Sequence, residues 1–270
     1  MALPKAQNPL DWTTQAWNIL LGRRCCPDVD AWLGGPIGQP GEDAESFVRR
    51  LAREEGLEIV RGIPGAGLVS SFVDLGVSVQ SQIAAFYERT SNFSLYLETK
   101  WHPVFRGLGW MVNRLFSRRL QQLNLPAGTR GEAEAVRSDI LILVNPSGQT
   151  VYRVWHRYLP SSGEVIFYGI YAEGRLPTGE PCLKAIFPLP QGSATVVFSL
   201  TTDAEGSLIL RSEGRYDGDP GFYFLVVDRK GQRWKHYLSR FRECLRVFVD
   251  AEGVLRAHQT LTLWRCPVYS

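Results

Sequence analysis

Four short segments in the second half of this chain have the same turn chemistry. Each begins with Asp or Asn and has Gly three positions later: Asn145–Gly148, Asp203–Gly206, Asp228–Gly231 and Asp250–Gly253. The side chain at the first position accepts hydrogen bonds from backbone N–H groups, and Gly at the last position adopts positive φ without steric cost. Such turns commonly connect antiparallel strands. The pattern therefore predicts a series of hairpins between Asp139 and Trp264.

The segments between these turns have the composition of strands. Apolar and β-branched residues predict ten of them: Asp139–Asn145, Thr150–Leu159, Glu164–Tyr171, Cys182–Phe187, Ser193–Thr201, Ser207–Gly214, Gly221–Val227, Gln232–Leu238, Cys244–Val249 and Val254–Trp264. Short links favour an antiparallel meander over a parallel α/β sheet. A sheet of this size curls to protect its edges. We predict an α+β fold, mainly β, in which the meander forms a barrel or a strongly bent sheet.

The first half of the chain is predicted to be mainly helical. Asp43–Glu55 opens with acidic residues, continues with arginines and ends at Gly56, which indicates an amphipathic helix. The spacing of apolar residues predicts further helices at Asp11–Leu21, Gln80–Thr90 and His102–Leu123. Leu57–Val79 is rich in glycine, which favours a strand or a loop that another backbone approaches closely. Alternation at Phe93–Leu97 predicts a short strand.

These elements divide the chain into three predicted parts. Residues 1–41 form an N-terminal arm with a short helix and a Gly- and Pro-rich linker, residues 42–137 a helical segment with a short strand, and residues 138–270 the antiparallel core. The order of elements resembles that of lipocalin-like barrels and of the helix-grip lipid-binding fold. The resemblance concerns architecture alone and transfers no functional residue.

Composition and charge exclude several classes of protein. The net charge of +3 and the pI near 8.6 are far from those of a dedicated nucleic-acid-binding protein. No apolar run approaches the roughly 20 residues of a membrane span, and the N-terminus lacks the apolar core of a signal peptide. The five cysteines have no C-x-x-C spacing, which gives zinc and thioredoxin-like sites no support. We therefore expect reduced thiols in a cytoplasmic protein without a metal or another cofactor.

Alternation along the strands predicts which side chains face a ligand. Several strands have one apolar face and one face that mixes His, Arg, Tyr and Trp; Tyr152 and His156 share one face, and Trp155 and Arg157 the other. The inside of a barrel or bent sheet with such a mixture is typical of a small-molecule site. The predicted ligand-contacting residues are Tyr152, Tyr168, Phe224, Trp234 and Trp264. The alternative is that the mixed face is the solvent side.

The same pocket contains four candidates for acid or base catalysis: His156, His236, His258 and Glu213. Histidine titrates near neutral pH when unperturbed, which makes it a better candidate for a general base than for a metal ligand here. Glu213 ends a strand, where its carboxylate either faces a pocket or lies at a solvated hairpin end. For each histidine the alternative is a satisfied or solvent-facing side chain, since no sequence motif links the three.

Three functions remain open at this point. The first is a cytoplasmic protein that binds an apolar or aromatic small molecule in a β-barrel pocket. The second is a cofactor-independent isomerase, cyclase or hydrolase that uses a pocket His or Glu as acid and base. The third is a homodimer or other interaction protein whose arm, with Trp12, Trp17 and Trp32, contacts a partner. A shielded carboxylate or His with a shifted pKa would favour the enzyme, and exposed N-terminal tryptophans would favour the interaction protein.

Overall fold

The structure is a computed structural model of the chain. It describes residues 9–65, 67–69, 72, 76–96, 100, 102, 135–264 and 266–269. Among these residues, the helices are α1 (Pro9–Leu21), α2 (Pro27–Asp30), α3 (Ala44–Glu55) and α4 (Ser81–Glu88), with short 3-10 turns at Ala31–Leu33 and Thr90–Asn92. The predicted helix at His102–Leu123 lies outside the described residues except for His102.

The strands all belong to one antiparallel sheet. In the described part of the chain they are β1 (Arg23–Arg24), β2 (Glu58–Ile63), β3 (Arg137–Val144), β4 (Thr150–Tyr158), β5 (Val165–Arg175), β6 (Pro181–Leu189), β7 (Gly192–Thr202), β8 (Leu208–Arg211), β9 (Gly221–Val227), β10 (Arg233–Tyr237), β11 (Phe241–Val249), β12 (Leu255–Leu263) and β13 (Cys266–Tyr269). The ten predicted strands are confirmed as β3 to β12, with bounds that shift by a few residues. At Phe93–Leu97 the described residues show a single bridge, from Leu95 to Val136.

The four predicted turns have the predicted hydrogen bonds. In each turn the N–H of the glycine donates to the carbonyl oxygen of the first residue, at 2.8 to 3.0 Å. The side chain of the first residue accepts two more backbone N–H groups; Asp250 Oδ1, for example, accepts those of Glu252 (3.0 Å) and Val254 (2.8 Å). The four glycines have φ between 75° and 81°. These local bonds set the register of the hairpins β3–β4, β7–β8, β9–β10 and β11–β12.

The sheet branches at β7. Residues 192–197 pair with β9, which pairs onward with β10 and β1. Residues 199–202 of the same strand pair instead with β8, which pairs onward with β11, β12 and β13. The other edge of β7 pairs with β6, and β5, β4, β3 and β2 follow in order. The strands from β3 to β7 therefore form the predicted meander, whereas β8 and β9 separate into two wings.

The sheet is not closed into a barrel, so a closed lipocalin-like barrel does not describe it. The end strands β2 and β13 do not pair with each other in the described residues. Leu95 exchanges backbone hydrogen bonds with Val136, next to β3, and the N–H of His102 donates to the carbonyl of Val268 in β13 at 3.0 Å. The seven residue-to-residue steps from Leu95 to His102 can span at most about 25 Å, even if fully extended. In a flat sheet, the eight inter-strand spacings from β3 to β13 would cover about 38 Å. The sheet is therefore curved rather than flat, and it is open.

One face of the sheet, which we call the outer face, is covered by α3. Asp43 caps this helix by accepting a hydrogen bond from the N–H of Ser46 (2.9 Å), and Gly56 ends it with φ 65°. The predicted helix is thus confirmed with its caps. Phe47 and Leu51 pack against apolar side chains of β3 to β6.

The opposite face, which we call the inner face, is covered by α4 and by the segment before it. Ile83 and Tyr87 of α4 belong to one core cluster with Ile140 of β3 and Val247 of β11. Strands that are far apart in the order of the sheet thus contribute to one cluster. The inner face is therefore the concave side of the curved sheet.

The segment before α4 confirms part of its prediction. Gly65 lies against the backbone of Glu88, since a Cβ at this glycine would be 2.0 Å from the carbonyl carbon. This is the close approach that the glycine-rich sequence indicates. Leu68 and Phe72, however, are helical, so the strand or loop predicted for residues 57–79 is correct at β2 and wrong at these positions.

Buried ion pairs anchor the N-terminal arm to the sheet. Lys235 Nζ of β10 lies 2.6 Å from a carboxylate oxygen of Asp30 and 2.6 Å from one of Asp217. Arg23 contacts the same two carboxylates, at 3.1 Å and 2.8 Å. Burial alone would raise the pKa of Asp30, but hydrogen bonds from Lys235 and from the backbone of Cys26, with the charges of Lys235 and Arg23, lower it. The attachment of the arm to the sheet therefore depends on contacts between side chains that are far apart in the sequence.

Candidate functional site

The residues predicted to contact a ligand lie at three separate places. Tyr152, His156 and Tyr168 are on the outer face near α3. The His156 ring lies 5.4 Å from that of Tyr168, and burial lowers the pKa of His156. The hydroxyl of Tyr152 donates to Glu55 Oε1 at 3.4 Å. These side chains fill the layer between sheet and helix.

A second group lies beside the N-terminal arm. Phe224 and His236 pack edge-to-face against Trp17 of α1, with ring centroids 6.2 Å and 4.7 Å away. The Nδ1 of His236 is 3.0 Å from Asn18 Oδ1, and burial lowers the pKa of this histidine. Trp234 Nε1 donates to Asp228 Oδ2 at 3.0 Å. The structure thus brings Phe224 and His236 together, but away from the outer-face group.

The remaining predicted residues are exposed. Glu213, His258 and Trp264 lie at the surface, and the side chain of Trp264 is 64% exposed. The arrangement therefore does not gather the predicted ligand-contacting and catalytic residues into one pocket. A different set of side chains, which the sequence did not single out, meets on the inner face.

Arg157 is the central member of this set. It projects from β4 on the same face as Trp155, with its guanidinium carbon 4.6 Å from the Trp155 ring centroid and 5.7 Å from that of Phe167. Its Nε is buried without a hydrogen-bond partner, as is Trp155 Nε1, and within the described residues Arg157 forms no ion pair. Burial lowers the pKa of Arg157, and nearby Tyr171 and Tyr87 oppose that effect. A partly desolvated cation is thus held against aromatic rings.

Two tyrosines also lie close to the Trp155 ring. The Trp155 ring lies 5.8 Å from Tyr87 of α4 and 5.4 Å from Tyr171 of β5. Burial raises the pKa of Tyr171 to about 12 and raises that of Tyr87 as well. Both phenols therefore stay protonated near neutral pH and are hydrogen-bond donors.

Glu243 and Gln259 approach the cluster from the other wing. Glu243 of β11 is 8% exposed, and Gln259 of β12 donates an amide N–H to its Oε1 at 2.5 Å. Burial raises the pKa of Glu243 to about 7, against the smaller opposing effect of this hydrogen bond. Glu243 and Arg157 both perturb the pKa of Tyr171, in opposite directions. We call these five residues, Tyr87, Arg157, Tyr171, Glu243 and Gln259, the inner polar cluster.

The chemistry available at the inner polar cluster is that of an anion-binding group of side chains with one titratable acid. A guanidinium supplies fixed positive charge, two phenols supply donors, and a carboxyl group changes charge near neutral pH. Aromatic and aliphatic side chains surround these groups. The described residues contain no set of three or more His, Cys, Asp or Glu side chains placed to hold a metal ion.

The sequence contained a partial signal for this cluster. Alternation on β4 sorts Trp155 and Arg157 onto one face and Tyr152 and His156 onto the other. Which face becomes concave depends on the curvature of the whole sheet, and no single strand encodes it. Glu243 precedes the predicted strand Cys244–Val249 by one residue, so its face was not assigned.

Comparisons of the chain with protein-family models, with curated proteins and with solved structures gave no match. No helix in the described ranges combines the length and the apolar character that are needed to cross a bilayer.

Proposed function

We propose that this protein binds an apolar or aromatic small molecule on the inner face of its curved sheet, and that an anionic group of the ligand pairs with Arg157. The single observation that carries the proposal is the half-buried Arg157, whose Nε is buried without a hydrogen-bond partner and which forms no ion pair in the described residues. The free thiols of all five cysteines favour a cytoplasmic location.

The energetics of Arg157 support an anionic ligand. An unpaired buried charge is strongly unfavourable, whereas a charge-assisted hydrogen bond to a carboxylate or phosphate recovers much of that loss. Trp155 and Phe167 hold the guanidinium plane, and Tyr171 adds a phenolic donor nearby. Rings of this kind commonly form the apolar walls of a small-molecule site.

Native mass spectrometry of the freshly purified protein tests this proposal. We expect an added mass that disappears on denaturation and is lost in Arg157→Met, which retains an apolar chain of similar length. Arg153→Met is the matched control, because Arg153 lies on the same face of β4 but pairs with Glu173 at 2.9 Å. We expect this control to retain the ligand.

Thermal unfolding of the same variants provides a second test, which does not require a ligand to survive purification. Without ligand, Arg157→Met should unfold at a higher temperature than the wild type, because the variant removes an unpaired charge whose Nε is buried. A clean apo mass in the wild type, or an unchanged added mass in Arg157→Met, contradicts the proposal.

An enzyme is the second candidate function, and the pKa of Glu243 favours it. A general acid or base works best when its pKa is near the operating pH, and burial raises the pKa of Glu243 to about 7. Glu243, rather than the exposed Glu213, is then the acid or base of an isomerase, cyclase or hydrolase. Incubation of the released ligand with wild type and with Glu243→Gln distinguishes enzyme from carrier, since only an active wild type changes the ligand's mass or chromatographic mobility.

A homodimer is the third candidate, and the orientation of α1 favours it. The polar side chains of Asp11 and Asn18 are 5% and 2% exposed, whereas Trp12 and Leu20 are 52% and 81% exposed. An apolar helix face of this kind is typical of a protein interface. Light scattering tests this function: Leu20→Ser should convert a dimer to a monomer, whereas Val254→Ser, an exposed residue beside a hairpin turn, should not.

A further inference from the structure

A second candidate site lies outside the inner polar cluster, where the β8–β9 loop meets the β10–β11 turn. A cleft of about 470 Å³ is lined by Arg215, Ser239, Arg240 and Arg242. Arg242 and Glu243 are adjacent in β11, so their side chains project from opposite faces of the strand. We propose that this cleft, which we call the arginine cleft, binds a phosphate group of a phosphate ester or diphosphate.

In the part of the chain that the structure describes, no ion pair neutralises the arginines of the cleft. Within the described residues, Arg215, Arg240 and Arg242 form no ion pair and no side-chain hydrogen bond. Three neighbouring guanidinium groups repel one another, and a multiply charged anion relieves that repulsion. The planar fork of N–H donors on arginine matches phosphate oxygens in a bidentate geometry.

Two of the three acidic residues of the β8–β9 loop, Asp217 and Asp219, are engaged elsewhere. Asp217 pairs with Arg23 at 2.8 Å and with Lys235 at 2.6 Å. Asp219 Oδ2 accepts the backbone N–H groups of Arg215 (2.8 Å) and Tyr216 (2.9 Å). The loop thus directs the carboxylates of Asp217 and Asp219 to the N-terminal arm and to its own backbone, and leaves the guanidinium of Arg215 to the cleft.

The backbone on both sides of the cleft is held in place. The N–H of Gly214 donates to the carbonyl of Pro220 at 2.7 Å, which closes the β8–β9 loop. In the β10–β11 turn the N–H of Phe241 donates to the carbonyl of Leu238 at 3.1 Å, and the N–H of Trp264 to that of Arg240 at 3.0 Å. The three arginines therefore project from a preformed frame, which reduces the entropy lost on binding.

The size and polarity of the cleft indicate the class of ligand. A volume of about 470 Å³ exceeds what a bare phosphate ion fills, so an attached group fits beside it. Arg215 and Arg240 are exposed, and Ser239 places a hydroxyl group in the lining. One carboxylate competes: continuation of the β8–β11 register places Glu213 opposite Arg242. Glu213 therefore weakens anion binding here.

Calorimetric titration with inorganic pyrophosphate at constant ionic strength tests the arginine cleft. We expect binding to the wild type, about tenfold or more weaker binding in Arg240→Gln and in Arg242→Gln, and tighter binding in Glu213→Gln. Arg229→Gln is the matched control, because this exposed arginine lies in the turn between β9 and β10, and its loss changes the net charge equally. We expect this control to bind as the wild type does.

Vesicles distinguish a lipid headgroup from a soluble ester as the source of the phosphate. Cosedimentation with phosphatidic acid vesicles, but not with phosphatidylcholine vesicles, that is lost in Arg240→Gln assigns the phosphate to a lipid. The proposal is overturned if the wild type binds neither pyrophosphate nor phosphatidic acid, or if Arg229→Gln weakens binding as much as Arg240→Gln does.

Discussion

At the scale of single residues, Glu243 makes the free energy of unfolding depend on pH. Its carboxyl group has a pKa of about 7 in the folded protein and an ordinary value of 4.5, because burial favours the neutral form. Below pH 4.5 the group is protonated in both states and does not change the free energy of unfolding. As the pH rises to 7, only the unfolded state releases the proton, so the free energy of unfolding falls, and above pH 7 the loss is complete.

Glu243→Gln should remove this pH dependence. Because each pKa unit corresponds to about 1.4 kcal/mol, we expect the variant to gain about 2 kcal/mol of unfolding free energy relative to wild type between pH 5 and pH 8. Urea unfolding at the two pH values measures the difference. Glu213→Gln is the control, since this exposed carboxylate should show no such gain. Parallel stability curves for wild type and Glu243→Gln would contradict the raised pKa of Glu243.

Residues were predictable where their role is set by close neighbours in sequence. Asp250 and Gly253 determine their turn by bonds within a few residues, and the sequence alone identified that turn. The partners of Arg157 and Glu243 come from other strands and from α4, so no local pattern identifies the inner polar cluster. Alternation correctly paired Trp155 with Arg157, but it left open which face of the sheet is concave, and the predicted site residues Tyr152 and His156 lie on the other face of β4.

At the scale of elements, α1 and α3 show what a helix pattern does and does not predict. For α3, the acidic start, the following arginines and the final Gly56 predict an amphipathic helix, and Phe47 and Leu51 on its apolar face are buried. For α1, the pattern predicts a helix, but the structure exposes Trp12 and buries Asn18, the reverse of what an amphipathic pattern indicates. The hydrogen bond between Asn18 and His236 belongs to the tertiary structure and is invisible in the helix sequence.

Asp30 is predicted to determine whether the N-terminal arm stays attached. Asp30→Asn leaves the buried Lys235 with one carboxylate partner, so we expect a loss of about 3 kcal/mol in the free energy of unfolding. Trypsin should then cleave after Arg23 or Arg24 in the native state, because β1 no longer pairs stably with β10. Urea unfolding and timed proteolysis measure both effects.

Asp28→Asn provides the control for the arm. Asp28 lies on the same short helix, carries the same charge and is exposed. Its substitution should change neither the stability nor the cleavage at Arg23 and Arg24. If Asp30→Asn and Asp28→Asn behave alike, the ion pairs of Lys235 do not hold the arm.

At the scale of the whole molecule, the strands were predictable and their pairing was only partly so. Hairpin turns identify neighbours such as β3 and β4, and the meander up to β7 follows from them. The pairing of β11 with β8 joins strands separated by β9 and β10, and no turn encodes it. The branch at β7 is therefore a tertiary feature that no local sequence pattern indicates.

The branch also predicts how the molecule unfolds. The wing of β8, β11, β12 and β13 shares β7 with the rest of the sheet, and its Val247 packs in the same core cluster as Trp155 of β4. We therefore expect the amides of β11 and β12 to lose protection at the same denaturant concentration as those of β4 and β5 in native-state hydrogen exchange.

The variant Leu210→Ala tests whether the two wings unfold as one unit. Leu210 of β8 is 3% exposed and lies in the shared cluster, so its truncation should cost about 2 to 5 kcal/mol. If the wings form one cooperative unit, protection should fall equally in β4 and β5 and in β11 and β12. Val254→Ala, an exposed apolar residue in the same wing, should leave both sets unchanged. A loss confined to β11 and β12 would show instead that the wing folds separately, and that the curved sheet is two units joined at β7.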